Sequence, residues 1–598
     1  ARRELLRRRL ARARAATPRA ELLPRPADVP APLSAAQRRM WFLAQYEPDG
    51  AAYNMPLVLR LSGPPDEDAL AAALTDVVAR HEVLRTVYPS LDGQVLPTVH
   101  DVDQFRVDVL DVPGPELADL LAAEARRPFE LATEIPIRAA LLRSDGRWTL
   151  SVVLHHIAAD GWSVGVLFRD LAAAYTARCA GHPPMLPPLP VQYADVAYRQ
   201  QTTLADELDR QQGWWRARLD GAPGTVTVPV DRPRPAVADT RGERIQVGFG
   251  ADRSRRIRAL AERTGGTTYM VLLAALQTVL ARYNGVTDVT VGSPVAGRTH
   301  RSTDHLIGCF VNTLAMRTDL SGEPTVRELL ARVREDTLAA FARQELPFDR
   351  LIDALGLERE LAYTPLFQVL LNVHNQAAAH PTLAGIEVEW GDTYTGAAKF
   401  DLAVAVLDTG PADELVADLV WRSVLYDEAT IRRTFGHLTT ILDAMTADPD
   451  RPVADLPLLT AGEERLLAGW NDTARDWDAT GTLHALIEEQ ARRTPDAPAV
   501  RGADGVLSYG ELDARANALA YRLRAAGVGP DRPVGLFVER SAALIVGMLG
   551  ILKAGGAYLP LDPLYPDERI RALLAAADAV AVVATPDLRA RVAGPLPI

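Results

Sequence analysis

The chain has 598 residues, 48% hydrophobic and 24% charged, with a formal charge of −12. That length fits about four domain-sized units or fewer large ones. The acidic balance argues against a nucleic-acid binder, and no apolar run approaches the ~18 residues of a membrane span.

The Arg-rich start, residues 1–20, reads as a solvated tail rather than an RNA or membrane contact, and it lacks the apolar core of a secretory signal. A start without methionine predicts a piece excised from a longer protein. Two cysteines, Cys179 and Cys309, fit a reduced, cytoplasmic setting, and each reads as a small buried residue.

Four prolines between Pro24 and Pro32 mark a linker. Ser34 then caps a predicted helix through Gln37, Met40 and Trp41. Pro56–Leu61 predicts a strand, and Asp66–Arg80 an amphipathic helix with Leu70, Leu74 and Val78 on one face. It leads through Arg80-His81-Glu82-Val83-Leu84-Arg85-Thr86 into another strand. A helix over Leu117–Arg126 precedes a hairpin, Ala139–Leu142 and Trp148–Leu154, turning at Asp145-Gly146. Alternation puts Leu150, Val152, Leu154 and His156 on one face and His155 on the other. Ser163 caps the next predicted helix.

Tyr193–Leu219 predicts one polar helix, and Gly221–Gly242 a crossover between lobes. In the second lobe, helices are predicted at Arg253–Thr264, Thr268–Tyr283, Thr325–Arg343 and Thr430–Thr446. Strands are predicted at Val289–Gly292, Leu314–Thr318, Leu366–Val373, Leu402–Leu407 and Leu415–Trp421. Composition breaks again at Ala447–Leu458. From Leu483, helices alternate with apolar strands, Val534–Val538 and Val580–Ala584 among them, as in a parallel α/β unit.

Chemistry concentrates at Leu154–Ser163, which holds two of the eleven histidines side by side. An imidazole near its ordinary pKa of ~6.5 exchanges protons at neutral pH. Gly161 permits a tight turn with exposed N–H groups, and a carboxylate such as Asp160 needs a cation when semi-buried, with Arg80 and Arg85 as candidates. Gly161-Trp162-Ser163-Val164-Gly165 fits a nucleophile elbow, but His156 and Asp160 precede the serine instead of following it, so Ser163 reads as a cap. Adjacent strand histidines face opposite sides, which disfavours a shared metal.

With these residues in view, the chain resembles the condensation domains of nonribosomal peptide synthetases. His155-His156-Ile157-Ala158-Ala159-Asp160-Gly161 matches their HHxxxDG signature. Leu33–Trp41, Arg80–Thr86, Gln192–Asp195, Gly308–Asn312 and Pro365–Val369 are similar to further motifs in order, and one departure is visible, Arg343 opening Arg343–Phe348 where the family usually starts with His. Leu507–Leu512 and Leu552–Pro563 resemble the first motifs of an adenylation domain; Lys553 is not that family's catalytic lysine, and Gly555-Gly556 reads as a structural turn.

The resemblance implies an α/β protein of two chloramphenicol-acetyltransferase-like lobes in a V-shaped pseudo-dimer, followed by a partial adenylation subdomain. The expected divisions are a tail at 1–25, lobes at 26–190 and 191–450, a linker at 451–481 and the partial adenylation domain at 482–598. It implies amide formation between aminoacyl thioesters on the 4′-phosphopantetheine arms of an upstream donor and a downstream acceptor carrier protein. The fragment itself is expected to hold no cofactor or metal, to act as a monomer, and to work with the rest of the adenylation domain without activating an amino acid alone. His156 is carried over as the catalytic residue and Gly161 as a backbone donor. His155, Asp160, Arg80 and Arg85 support the site, with Asp160 paired to Arg80. Gly50–Asn54 and Ile157–Ser163 look like domains receiving a D-configured donor. An epimerase and a non-catalytic recruitment platform of the same fold are the alternatives.

Overall fold

The computed structural model describes residues 22–202, 204–357, 362–374, 382–476, 481–502, 505–592, 594, 596 and 597, so the Arg-rich tail lies outside the described residues. The chain divides into two compact units, 1–469 and 470–598.

The first unit is built on two six-stranded mixed sheets. In the first, the hairpin Ile137–Ser144 and Arg147–His155 turns at Asp145 and Gly146, both with positive φ (50° and 74°). That is the geometry that matches strand twist in a two-residue turn. Strand Asn54–Leu61 pairs antiparallel with Arg147–His155, Asn54 opposite His155. Helices Glu67–Arg80 and Gly161–Cys179 pack together, their apolar residues sharing one core with the sheet. The burial of strand Arg147–His155 does not alternate: every residue after Arg147 is buried, because both sheet faces are covered.

The second sheet is ordered around strands Asp288–Val295, Val369–His374, Leu402–Leu407 and Val416–Arg422, with Asn312–Asp319 and Gly242–Gly248 at its edges. Helix Thr268–Asn284, apolar nearly all round, is buried in its core. This is the two-lobed pseudo-dimer expected from the sequence.

Three expectations need correction. Strand Ile386–Gly391, inside the stretch assigned to the second lobe, joins the first sheet, with Val58 opposite Gly391. The chain then returns through residues 392–401 to strand Leu402–Leu407. The single helix expected over 193–219 is two, Tyr193–Gln201 and Ala205–Leu219. The first helix closes on Thr202, a β-branched residue of modest helix propensity, and the second turns Leu208, Trp215 and Leu219 into the core. The expected linker 451–481 begins as structured chain. Pro452 bridges Thr325, Arg282 donates to Ala454 O (2.9 Å), and Glu463 accepts from His437 Nε2 at 3.0 Å.

The second unit is a small parallel α/β piece. Strand Pro533–Phe537 lies between Ala557–Pro560 and Ala581–Ala584. Helix Tyr509–Ala525 opens with a capping box of Ser508 and Glu511. Lys553 is buried against Glu488 (2.7 Å), Asp513 (2.5 Å) and Asn517 (2.9 Å), a structural ion cluster. Gly555 takes φ +90°, and a Cβ on Gly556 would meet Val528 Cγ1 at 2.7 Å, so the pair is a packed turn.

Candidate active site

His156 follows the last residue of strand Arg147–His155 and remains tied to the sheet by its N–H, which donates to Tyr53 O at 2.8 Å. Ile157, Ala158 and Ala159 are fully buried behind it and fix the turn. The two histidines then part. His155 folds back on its own loop, its Nδ1 accepting from Ile157 N (3.1 Å) and its ring edge-on to Phe129. His156 is half-buried, edge-on to Tyr53, with Nδ1 3.7 Å from Cys309 Sγ.

Asp160 is the cap of helix Gly161–Cys179, accepting from Ser163 N at 2.9 Å. Ser163, read from sequence as the cap, lies three residues on and is fully buried. Its Oγ is 2.7 Å from Asp160 Oδ1 and accepts from Gly308 N (3.1 Å) and Arg298 Nη2 (3.0 Å). A hydroxyl so engaged, without an imidazole, is not a nucleophile.

Asp160 pairs with Arg298 of the second lobe (3.2 Å), both side chains at most 3% exposed, and its Oδ2 accepts from Phe310 N (2.9 Å). The expected partner, Arg80, instead meets Asp170 (3.0 Å), which also takes His81 Nε2 (3.1 Å) and Arg169. Arg85 donates to His100 O at 2.6 Å. The reason is helical rise: Asp170 stands ten residues beyond Asp160, about 15 Å along the axis at mid-helix, the level that Arg80 reaches. No local pattern points to Arg298, 138 residues downstream of Asp160.

The second lobe's loop 298–311 thus closes the site. Gly308 must be glycine there, since a Cβ would fall 2.1 Å from the Tyr193 ring. Tyr193 Oη donates to Cys309 O (2.6 Å), and Trp162 Nε1 to Asp304 O (3.2 Å). Asn312 extends the wall, donating to Gln344 O and Leu346 O and accepting from Phe348 N. Cys309 is buried as expected, but the histidine beside it is His156, not its sequence neighbour His305. Cys179 is exposed, contrary to expectation, because it sits on the last turn of its helix.

Between the lobes lies a cavity of about 980 Å³, lined by His156, Gly161, Tyr53, Cys309, Lys399 and Arg39 among others. Gly161 is an ordinary helical residue, not a left-handed turn, and a Cβ there would meet nothing within 4 Å. As the first residue of its helix it has an N–H with no intrahelical acceptor. Burial, then the Lys399 ammonium, pushes the His156 imidazole down to about 3; His155 is also near 3, from burial and then the neighbouring His156. Burial holds the Cys309 thiol well above its ordinary range and brings Lys399 down to about 8. The site therefore presents a neutral imidazole, a protonated thiol and helix N–H groups to whatever enters. Such a set can accept a proton and stabilise a developing oxyanion.

The condensation-domain family matches residues 29–468, and the AMP-binding enzyme family residues 487–595. The chain is 41% identical over 583 residues to a linear gramicidin synthase of Brevibacillus parabrevis, covering 96% of this chain and 11% of that protein. It is 39% identical to the isonitrile lipopeptide synthase of Mycobacterium tuberculosis, spanning 23% of it. Among solved structures, the X-domain from teicoplanin biosynthesis is 32% identical with a TM-score of 0.69, over 73% of this chain and all of that one. A four-domain nonribosomal peptide synthetase bound to AMP and glycine gives a TM-score of 0.82 over 98% of this chain and 45% of its own, at 24% identity, a likeness of fold. The chain belongs to the condensation-domain family of nonribosomal peptide synthetases and carries the start of an AMP-binding enzyme behind that domain.

Proposed function

We propose that residues 29–468 form a peptide bond between a donor thioester on an upstream carrier protein and the amine of an aminoacyl thioester on a downstream one. The observation that carries this reading is the neutral His156 imidazole beside a helix N-terminus, in a cavity walled by both lobes. The 4′-phosphopantetheine arms belong to the carriers and enter as substrate. Because one chain supplies both walls, a monomer suffices. A cytoplasmic setting suits such carriers, and no single helix among the described residues is long and apolar enough to cross a membrane.

The chemistry follows from two pKa values. An α-amino group titrates near 7.7–8.0, so removing its proton outright with an imidazole near 3 would cost about 6 kcal/mol. The amine is therefore taken to enter neutral, with its N–H groups oriented by His156. As nitrogen bonds to the thioester carbon it turns positive and becomes a far stronger acid, and the imidazole then accepts its proton. The Gly161 N–H and the helix terminus stabilise the oxyanion. Collapse breaks the C–S bond, and the proton passes to the departing thiolate. Asp160, held by Arg298, positions the loop, and His155 braces it from behind.

The test is transfer between loaded carriers read by intact mass. Product on the acceptor carrier is expected, and its absence with competent carriers would overturn the reading. The likeness to the teicoplanin X-domain, one structure of which is a complex with OxyB, favours a second reading, a recruiting platform; the same assay separates the two. An epimerase is disfavoured by the AMP-binding segment that follows directly. A D-configured donor terminus is part of the proposal, and equal or better turnover of the L-terminated donor would remove it.

A further inference from the structure

Among the described residues, Lys399 is the one lysine lining the cavity. It lies on the segment by which the chain returns from the first sheet to the second, so its position depends on the exchange of strand Ile386–Gly391. Its backbone is pinned: Arg422 donates to Lys399 O (3.3 Å), and the nearby Asp401, fully buried, is held by Arg234 and Arg422. Its side chain is not. Among the described residues no carboxylate lies within 4 Å of Lys399 Nζ, which rests 4.6 Å from the centre of the Tyr53 ring, the ring that His156 meets edge-on.

Lys399 is half-buried, and an ammonium partly withdrawn from water without a carboxylate is costly; natural chains tolerate such conflicts chiefly at working sites. The other groups facing His156 do not cancel this charge. Arg39 adds to it, only partly offset by Asp349 at 3.7 Å, and Asp160 is neutralised by Arg298; the Cys309 thiol and Tyr53 phenol are held protonated by burial, and His155 is neutral.

We propose that Lys399 is a positioning residue for the transfer, an unpaired cation stacked on Tyr53 that keeps a proton off the His156 imidazole until the amine delivers one. The imidazole lone pair then stays open to the incoming N–H at any pH where the carriers remain loaded. Once the amine proton arrives, the same charge hastens its departure to the thiolate. This inference rests on the transfer reading above, but its test does not need turnover.

The experiment uses the full chain with ring-13C-labelled histidine, the His156 signal being assigned by its loss in His156→Gln. In wild type that signal should keep its neutral-form shift down to about pH 5. In Lys399→Met its midpoint should rise from near 3 by about one pH unit or more, so that the signal begins to move near pH 5 where the wild-type signal does not, while Lys399→Arg keeps the wild-type behaviour. A His156 signal that titrates alike in wild type and Lys399→Met overturns the proposal, as does failure of Lys399→Arg to restore the wild-type titration. Lys399→Gln provides a second neutral variant should Lys399→Met fold poorly. A shifted titration with no transfer in wild type would instead sink the transfer reading and leave the electrostatic role standing.

Discussion

The two lobes contain the same local unit put to opposite uses. In the first, strand Arg147–His155 runs through five residues, 156–160, into helix Gly161–Cys179. In the second, strand Val416–Arg422 runs through five residues, 423–427, into helix Glu428–Ala447. His155 and Arg422 occupy the same place at the strand end, His156 and Ser423 the next, and Asp160 and Asp427 both stand at the helix N-cap, though only the Asp160 side chain makes a capping hydrogen bond. The second copy is tied off: Ser423 N donates to Arg241 O (3.1 Å), and Arg422, though it lines the same cavity, is locked on Asp401. Its helix cap faces outward, Asp427 being 58% exposed and paired with Arg232. The first copy opens into the cavity, and its cap is buried against the other lobe. The fold supplies a strand end and a helix N-terminus twice; the side chains decide which becomes chemistry.

The largest expected effect tests that asymmetry directly. His156→Ala should lower carrier-to-carrier transfer by about 10²–10⁴-fold, the usual worth of a proton-handling group. Ser423→Ala, the matching change in the second lobe, should leave the rate within about two-fold, because Ser423 is bonded to the sheet through its backbone N–H. Equal losses in both variants would mean that the lobes share the chemistry.

Much of this was legible in the sequence wherever signals are local. Helix Leu117–Arg126 and strand Leu402–Leu407 have the predicted ends, and the Asp145-Gly146 turn fixes its hairpin. The double histidine announces the site. What sequence does not carry is which distant group completes it. Ile386-Glu387-Val388-Glu389-Trp390 alternates as a half-buried strand should, yet period-two patterning does not name the sheet that will receive it. Arg298 is one arginine among many, and only the docking of loop 298–311 makes it the partner of Asp160. Arg80 is the nearer candidate in sequence and lies about 15 Å off along the helix. Cys309 and Lys399 likewise reach the imidazole only through the meeting of the lobes.

The next effect concerns stability. Arg298→Met leaves the Asp160 carboxylate buried without its cation, and breaking such a pair costs about 3–5 kcal/mol. Arg232→Met removes the corresponding partner of Asp427, but both groups there are about half exposed and solvent replaces the contact, so less than about 1 kcal/mol is expected. Urea midpoints of the two variants should therefore differ clearly. Comparable shifts would show that the first lobe's cap is no more buried in solution than the second's.

The smallest effect reads the strand ends themselves. Arg422 does not titrate in the acid range, whereas His155, at the same place in the first lobe, is held near 3 by burial and then by the neighbouring His156, Lys399 and Arg138. A histidine whose folded pKa is depressed contributes its stability above the unfolded value of ~6.5 and loses it as pH falls toward the folded one. Between pH 7 and pH 5 this residue alone should cost about 2 kcal/mol, since the unfolded imidazole takes a proton that the folded one refuses. His155→Asn forfeits packing against Phe129 at every pH, but it should flatten the acid slope of the urea midpoint by about that amount. The packing loss is a constant offset and the proton linkage is a slope, so the two separate in one titration. An unchanged slope would place the protonation penalty on the other histidines with lowered pKa, His156, His81 and His374, and His155 would then be as indifferent to pH as its arginine counterpart.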